Sequence, residues 1–233
     1  MVPAGHQRHC VEPDHGASEE RLDERRFLDL SRQLTRRFPR SVQVPLTPGC
    51  GLLVTDWLSD TEAEALMAHC LAALHWDQPQ VRLFGREYPI PRRHAFVGDP
   101  DVTYRWSGLE QHPQVWTPEL AEVRDRLAES GFTFNSLLAN HYRNGADGMG
   151  WHADNERELG ASPVVATISL GQPRRLSFRE RHGAGRQALD LPSGSLLLTS
   201  GAVQHHWQHQ VAKSRRLLDP RISLTFRYIH SIG

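Results

Sequence analysis

After Gly131 the apolar residues of this chain stop recurring at helical spacing and fall into alternating or short continuous runs. Candidate strands span 133–142, 164–170, 175–179, 187–191, 195–199 and 221–229. Glycine, proline and aspartate break the chain between them, at 145–150, 183–185 and 192–194. Strands this short and this closely spaced bury their apolar faces by stacking or closing on one another. That arrangement is a sandwich or a jelly roll.

Helical signals come earlier. Ser59-Asp60-Thr61-Glu62 has the form of a capping box, and Leu66, Met67, Cys70, Leu71 and Leu74 then repeat as one stripe. Thr117 reads as an N-cap, with Pro118 at the first helical position, an apolar stripe of Leu120, Val123 and Leu127, and Gly131 as the stop. A short apolar run at 51–57 has strand length. Helices first and strands after make the fold class α+β. Residues 1–45 read as an N-terminal extension, disordered at 1–15, with a helix at 18–37 that puts Phe27, Leu30 and Leu34 on one face. Residues 46–233 read as one domain.

Three scattered cysteines, Cys10, Cys50 and Cys70, form neither a metal-like pair nor a disulfide framework, which points to a reducing compartment. No apolar run is long enough to span a membrane, and no basic-then-apolar leader opens the chain, so the expected location is the cytoplasm, or the nucleus in a eukaryote. Lys+Arg and Asp+Glu balance at 27 each, but unevenly along the chain. From Asn135 onward there are 12 basic and 7 acidic residues, leaving 15 and 20 before it. A neutral total thus hides a basic C-terminal half, a distribution that suits a polyanionic partner.

His152-Ala153-Asp154 places an imidazole and a carboxylate two residues apart. On an extended segment both side chains point the same way and can reach one ion. With 14 histidines in the chain such a pair is a weak signal by itself. A third histidine would complete two imidazoles and one carboxylate on one face of a metal, the pattern of non-haem iron(II) oxygenases. His205, His206 and His209 are all candidates. In Arg221-Ile222-Ser223-Leu224-Thr225-Phe226-Arg227 the odd positions are polar, with an arginine at each end, and the even ones are apolar. Two guanidiniums on an inward face suit a dicarboxylate, which each can grip with paired hydrogen bonds. Asn140 and Tyr142 share a face of the 133–142 strand and would add neutral donors.

Taken together, Asn140-His141-Tyr142, the 145–150 turn, His152-Ala153-Asp154, Ser169-Leu170-Gly171, Leu176-Ser177-Phe178-Arg179, the 194–198 run, His206-Trp207-Gln208-His209 and the 221–227 segment resemble the AlkB-type dealkylation dioxygenases in order and spacing. The likeness runs over about 83–228 and is strongest to the animal-type DNA-repair members. It implies a double-stranded β-helix, a form of jelly roll, with a substrate-binding hairpin lid. It also implies that His209, rather than His205 or His206, joins His152 and Asp154 on Fe(II). Arg221, Arg227, Asn140, Tyr142, Ser223 and Thr225 would then hold 2-oxoglutarate. The implied activity is O2-dependent oxidative dealkylation of N-alkylated bases, of the 1-methyladenine and 3-methylcytosine type, with release of succinate, CO2 and an aldehyde.

The resemblance further implies substrate contacts. Phe84 and Arg86 would sit on a finger hairpin, with Phe84 as a wedge in duplex DNA. Tyr104 and Trp106 would lie against the base, Asn155 and Glu156 at its edge, and Arg179 on the backbone. Arg174, Arg175, Arg181, Arg186, Lys213, Arg215 and Arg216 are expected as further phosphate contacts. Alkylated DNA, single- or double-stranded, is the expected partner, with RNA as a further candidate, and the protein is expected to be a monomer. Two other readings remain: an iron enzyme acting on a protein side chain, and a nucleic-acid-binding module whose iron site is vestigial.

Overall fold

The computed structural model describes residues 24–230, except 84, 107 and 108. Helix α1 (Glu24–Arg37) leads into strands β1 (Ser41–Leu46) and β2 (Gly49–Val54), then helix α2 (Asp60–Ala73). Strands β3 (Gln80–Leu83), β4 (Arg86–Pro89), β5 (Arg93–Gly98), β6 (Tyr104–Trp106) and β7 (Leu109–Gln111) precede helix α3 (Pro118–Glu129). Next come β8 (Ser136–Tyr142), β9 (Met149–His152), β10 (Val165–Gly171), β11 (Arg174–Glu180), β12 (Arg186–Leu191) and β13 (Leu196–Thr199). The short helix α4 (Gly201–His206) then feeds β14 (Trp207–Val211), and β15 (Arg221–Arg227) follows.

Seven strands make the major sheet, in the order β1-β2-β13-β10-β15-β8-β5, and four make the minor sheet, β12-β11-β14-β9. Leu176, Phe178 and Val211 of the minor sheet cluster with Leu46, Leu53 and Leu197 of the major one, so the two sheets face each other. The other face of the major sheet carries the helices. Phe27 and Leu34 of α1, Leu66 and Cys70 of α2, and Leu120 and Leu127 of α3 pack with Ile222, Leu224 and Phe226 of β15. Each such large apolar side chain contributes about 1.5–3 kcal/mol by leaving water. The α+β, jelly-roll expectation holds.

The helix signals act as read. Ser59 Oγ accepts from Glu62 N while Glu62 Oε2 accepts from Ser59 N, closing the capping box. Gly131 ends α3 at φ 88°, which a side chain with a Cβ resists. Two expectations fail in detail. Leu71 is 41% exposed, because the buried side of α2 runs through Ala63, Leu66 and Cys70 and on to Leu74. The boundary at 45 falls inside β1, which pairs with β2 from Ser41↔Val54 to Leu46↔Gly49. Val44 and Leu46 turn inward there, and an edge strand tolerates Pro45 because its missing N–H has no partner to serve. The expected helix at 18–37 is described only from Glu24.

Two small ribbons stand apart from the main sheets. β3 pairs with β4 across a turn at Gly85, φ 78°, and β6 pairs with β7. The first is a hairpin at the position expected for the lid.

Candidate metal centre and cosubstrate cavity

β9 and β14 are neighbours in the minor sheet, and their register sets His209 directly opposite His152. The two rings lie 4.1 Å apart. Asp154 follows just beyond the end of β9, with its Oδ2 3.9 Å from His209 Nε2. One ligand atom from each of His152, Asp154 and His209 lies within 4.8 Å of the other two, so the three can share one cation. A register irregularity between His209 and Val211 is the kind of bulge that re-aims a side chain beside a site. His205 and His206 are exposed on α4, and His205 Nε2 meets the Ala161 carbonyl instead.

The protonation states suit a cation. A carbonyl only accepts, so the 2.8 Å contact of His152 Nδ1 with Gly150 O puts a proton on Nδ1 and leaves Nε2 as the ring atom that can face a metal. Burial pushes the His209 imidazole down to about 3, aided by the neighbouring His152 and Arg227 and opposed by Asp154, so it is neutral. Burial alone would raise the Asp154 carboxyl. Its charged surroundings, Arg227 foremost among them, outweigh that and hold the group below its usual range. Arg227 Nη2 is 3.1 Å from Asp154 Oδ1, the largest of these contributions. The backbone N–H of Asp154 donates to Gln204 Oε1 at 3.0 Å.

All seven residues of β15 are buried. Its even positions face the helices, while Arg221, Ser223, Thr225 and Arg227 line a small cavity of about 50 Å³. Met149, Leu176, Leu191 and Val211 form an apolar wall across from them, and His152, Asp154 and His209 complete the lining. The Arg227–Asp154 contact marks the metal end, and Arg221 lies at the opposite end of the strand.

Arg221 is 1% exposed, with Nη2 donating to Ser169 Oγ at 2.8 Å and the guanidinium 5.3 Å from the Tyr142 ring. Its Nε and Nη1 have no hydrogen-bond partner. Burial and then the nearby Arg174 weaken its hold on its proton; the Tyr142 phenol is the group that opposes them, and no carboxylate is involved. A buried guanidinium without a countercharge is costly unless an anion arrives to pair with it. Asn140 joins this wall, its Oδ1 accepting from Arg92 Nε at 2.8 Å and its amide nitrogen left to donate.

Sequence reasoning missed Arg92 and Gln204. Arg92 sits beside the exposed Arg93 with nothing local to tell them apart, and Gln204 lies among polar residues on a short helix. Only contacts across 48 and 50 residues of chain reveal them. Arg174 was misplaced in the opposite sense. It is 5% exposed and donates to the carbonyls of Asn144, Asp147 and Ala212, so it braces the turn before β9 and does not face a phosphate.

Of the residues expected to meet a substrate, Arg179 lies 4.4 Å over the Trp151 ring and donates through Nε and Nη2 to Gln208 Oε1. Arg86 is exposed on β4, and Asn155 is exposed just past Asp154. Turned to satisfy both ends, the Asn155 amide donates to the Ala153 carbonyl and accepts from Arg181. Glu156 is partly buried at the start of the turn Arg157–Leu159. Arg186, Lys213, Arg215 and Arg216 are exposed, whereas Arg175 is paired with Asp190 at 3.0 Å. Phe84 lies outside the described residues, as do the side chains of Tyr104 and Trp106.

Among the described residues no helix is long and apolar enough to cross a membrane. The chain is 40% identical over 159 residues to the DNA oxidative demethylase ALKBH2 of Mus musculus, a match covering 64% of this chain and 66% of that protein. It is 35% identical over 179 residues to the alpha-ketoglutarate-dependent dioxygenase alkB homolog 3 of Homo sapiens, covering 72% of this chain and 62% of that one. It therefore spans a little under two-thirds of these relatives' length. The solved structure of OsALKBH1 shares the fold at a TM-score of 0.55 and 16% identity, over 76% of this chain and 96% of that one. A Pseudomonas putida prolyl-4-hydroxylase does so at 0.53 and 13%, over 87% and 100%. The model of the 2OG-Fe(II) oxygenase superfamily matches residues 51–227, and the chain belongs to that superfamily.

Proposed function

We propose that this protein oxidatively dealkylates N-alkylated bases in nucleic acid, with Fe(II) held by His152, Asp154 and His209 and 2-oxoglutarate held by Arg221. The observation that carries the reading is Arg221 itself. It is buried, with no countercharge facing it among the described residues, in a cavity whose other end brings together His152, the neutral His209 imidazole and the ionised Asp154 carboxylate. A dicarboxylate would supply the missing anion at one end and reach the metal at the other. Asn140, Tyr142, Ser223 and Thr225 line the space between, and Arg227 stands at the metal end. The bound cofactors supply the oxidation: O2 and 2-oxoglutarate yield succinate and CO2, and the hydroxylated N-alkyl carbon leaves as an aldehyde, restoring the base.

The chain's own residues hold and shield. Arg227 keeps Asp154 ionised, Gly150 fixes the His152 tautomer, and the apolar wall excludes water. A base inside a duplex cannot reach a buried metal, so the substrate base is single-stranded or flipped out. Phe84 and Arg86 on the hairpin, Tyr104 and Trp106 on β6, Asn155 and Glu156 after the metal carboxylate, and Arg179 would meet it. The similarity to ALKBH2 and alkB homolog 3 supports the nucleic-acid substrate. The protein would act as a monomer.

The test is mass spectrometry of a methylated oligonucleotide, single- and double-stranded, after incubation with protein, Fe(II), ascorbate and 2-oxoglutarate. Loss of the methyl mass with the wild type and none with Asp154→Ala is the expected result. Succinate formation without methyl loss would keep the metal site and discard the substrate.

A further inference from the structure

The backbone N–H of Asp154 is a liability for the site. β9 ends at His152, so no ladder partner waits for it, and Asp154 is 4% exposed. A buried donor left unpaired costs as much as a lost hydrogen bond or more. Gln204 fills the vacancy. Its side chain, 2% exposed, accepts from Asp154 N at 3.0 Å and donates through Nε2 to Thr199 Oγ1 at 3.1 Å. Thr199 is held in the major sheet, opposite Gly51 of β2 and Val165 of β10. Gln204 also sits on α4, which runs directly into β14 and His209. The start of α4 is tied down in turn, because Ser200 Oγ donates to Glu24 of α1 at 2.9 Å.

We infer that Gln204 is a positioning residue for the metal centre: its amide fixes the backbone that presents Asp154 and locks it to the segment that presents His209. Arg227 grips the Asp154 carboxylate from the other side, so the ligand is set from both ends. An amide suits the task because it accepts and donates without adding charge beside a carboxylate. The inference rests on His152, Asp154 and His209 being the metal ligands.

The experiment is an anaerobic titration of the full chain with Co(II), read by its visible absorption, on wild type, Asp154→Ala, Gln204→Met, Gln204→Glu and Thr199→Val. Methionine keeps the volume and removes the acceptor; glutamate restores it. Gln204→Met is expected to weaken Co(II) binding by about 10- to 100-fold, the range for removing a partner behind a metal ligand. Thr199→Val should lose less in the same direction, and Gln204→Glu should fall between Gln204→Met and the wild type, because it restores the acceptor but adds a charge beside the carboxylate and cannot donate to Thr199. If Gln204→Met does not fold, Thr199→Val carries the test. Wild-type affinity in a folded Gln204→Met or Thr199→Val protein, whatever the change in Tm, would overturn the inference. Wild type that binds Co(II) no better than Asp154→Ala would instead sink the metal assignment, and the inference with it.

Discussion

The two sides of the cavity are built differently. At the proposed metal and cosubstrate end most functional groups come from strands held on both flanks, with His152 on the edge strand β9 paired on one side to β14. β15 lies between β10 and β8, and β14 between β11 and β9. Arg221, Asn140 and His209 are thereby placed by pairings that span the whole C-terminal half. The proposed substrate side rests in part on the hairpins β3–β4 and β6–β7, each a two-stranded sheet, and in part on Arg179 of β11 and the residues just after Asp154. An isolated two-stranded ribbon is marginal in water, so its shape depends on what it meets. The contrast is between a proposed chemical centre set by long-range register and proposed recognition elements built largely from local pairings.

Substitutions on the two sides should therefore fail differently. The largest effect expected on the apo fold is at Arg221. Replacing a buried, uncompensated guanidinium by methionine removes a desolvation cost, so Arg221→Met should gain about 1–4 kcal/mol in denaturant unfolding without ligand. A loss would mean that a protein group already balances the charge.

Next comes the turn that leads into β9. Asp147 receives Arg143 Nε at 2.7 Å, Arg143 Nη2 at 2.9 Å and the Arg143 backbone N–H at 2.9 Å. Burial would raise its carboxyl, but these bonds to Arg143 and its charge hold it low. A carboxyl depressed in the folded state stabilises fully above its unfolded value, about 3.9, and loses that stabilisation as pH falls through the lower folded value. Asp147→Asn should cost about 1–2 kcal/mol at pH 7, modest because Arg143 is partly solvated. The gap to wild type should close as thermal melts are taken below pH 4. A gap independent of pH would break the account.

Smaller effects belong to the substrate side. Arg179→Ala should raise KM for an oligonucleotide several-fold, leave KM for 2-oxoglutarate unchanged, and lower the salt slope of binding by about one. A parallel rise in both KM values would erase the distinction between the two sides. Phe84→Ala should slow repair of duplex more than of single strands; equal losses would remove the wedge.

Much of the first side was legible in the sequence. The alternation of Arg221 to Arg227 predicted which face carries the arginines, and the two-residue spacing of His152 and Asp154 predicted that they converge. The third histidine was legible only through the family resemblance, since His205, His206 and His209 look alike locally until register puts one of them opposite His152. Gln204, Arg92 and Arg174 were invisible for the same reason: their partners are distant in sequence, and a polar residue that anchors a site carries the same local signature as one in water. β1 escaped because a short edge strand with a proline has little pattern to read.

Calorimetric titration of 2-oxoglutarate into Mn(II)-loaded protein, wild type against Arg221→Met, tests the central claim most directly. Binding to the wild type is expected, weakened by about ten- to a hundredfold or more in the variant, as for a lost charged hydrogen-bonding group. Equal affinity for the two proteins would contradict it, because the buried arginine would then be answering to something other than the cosubstrate.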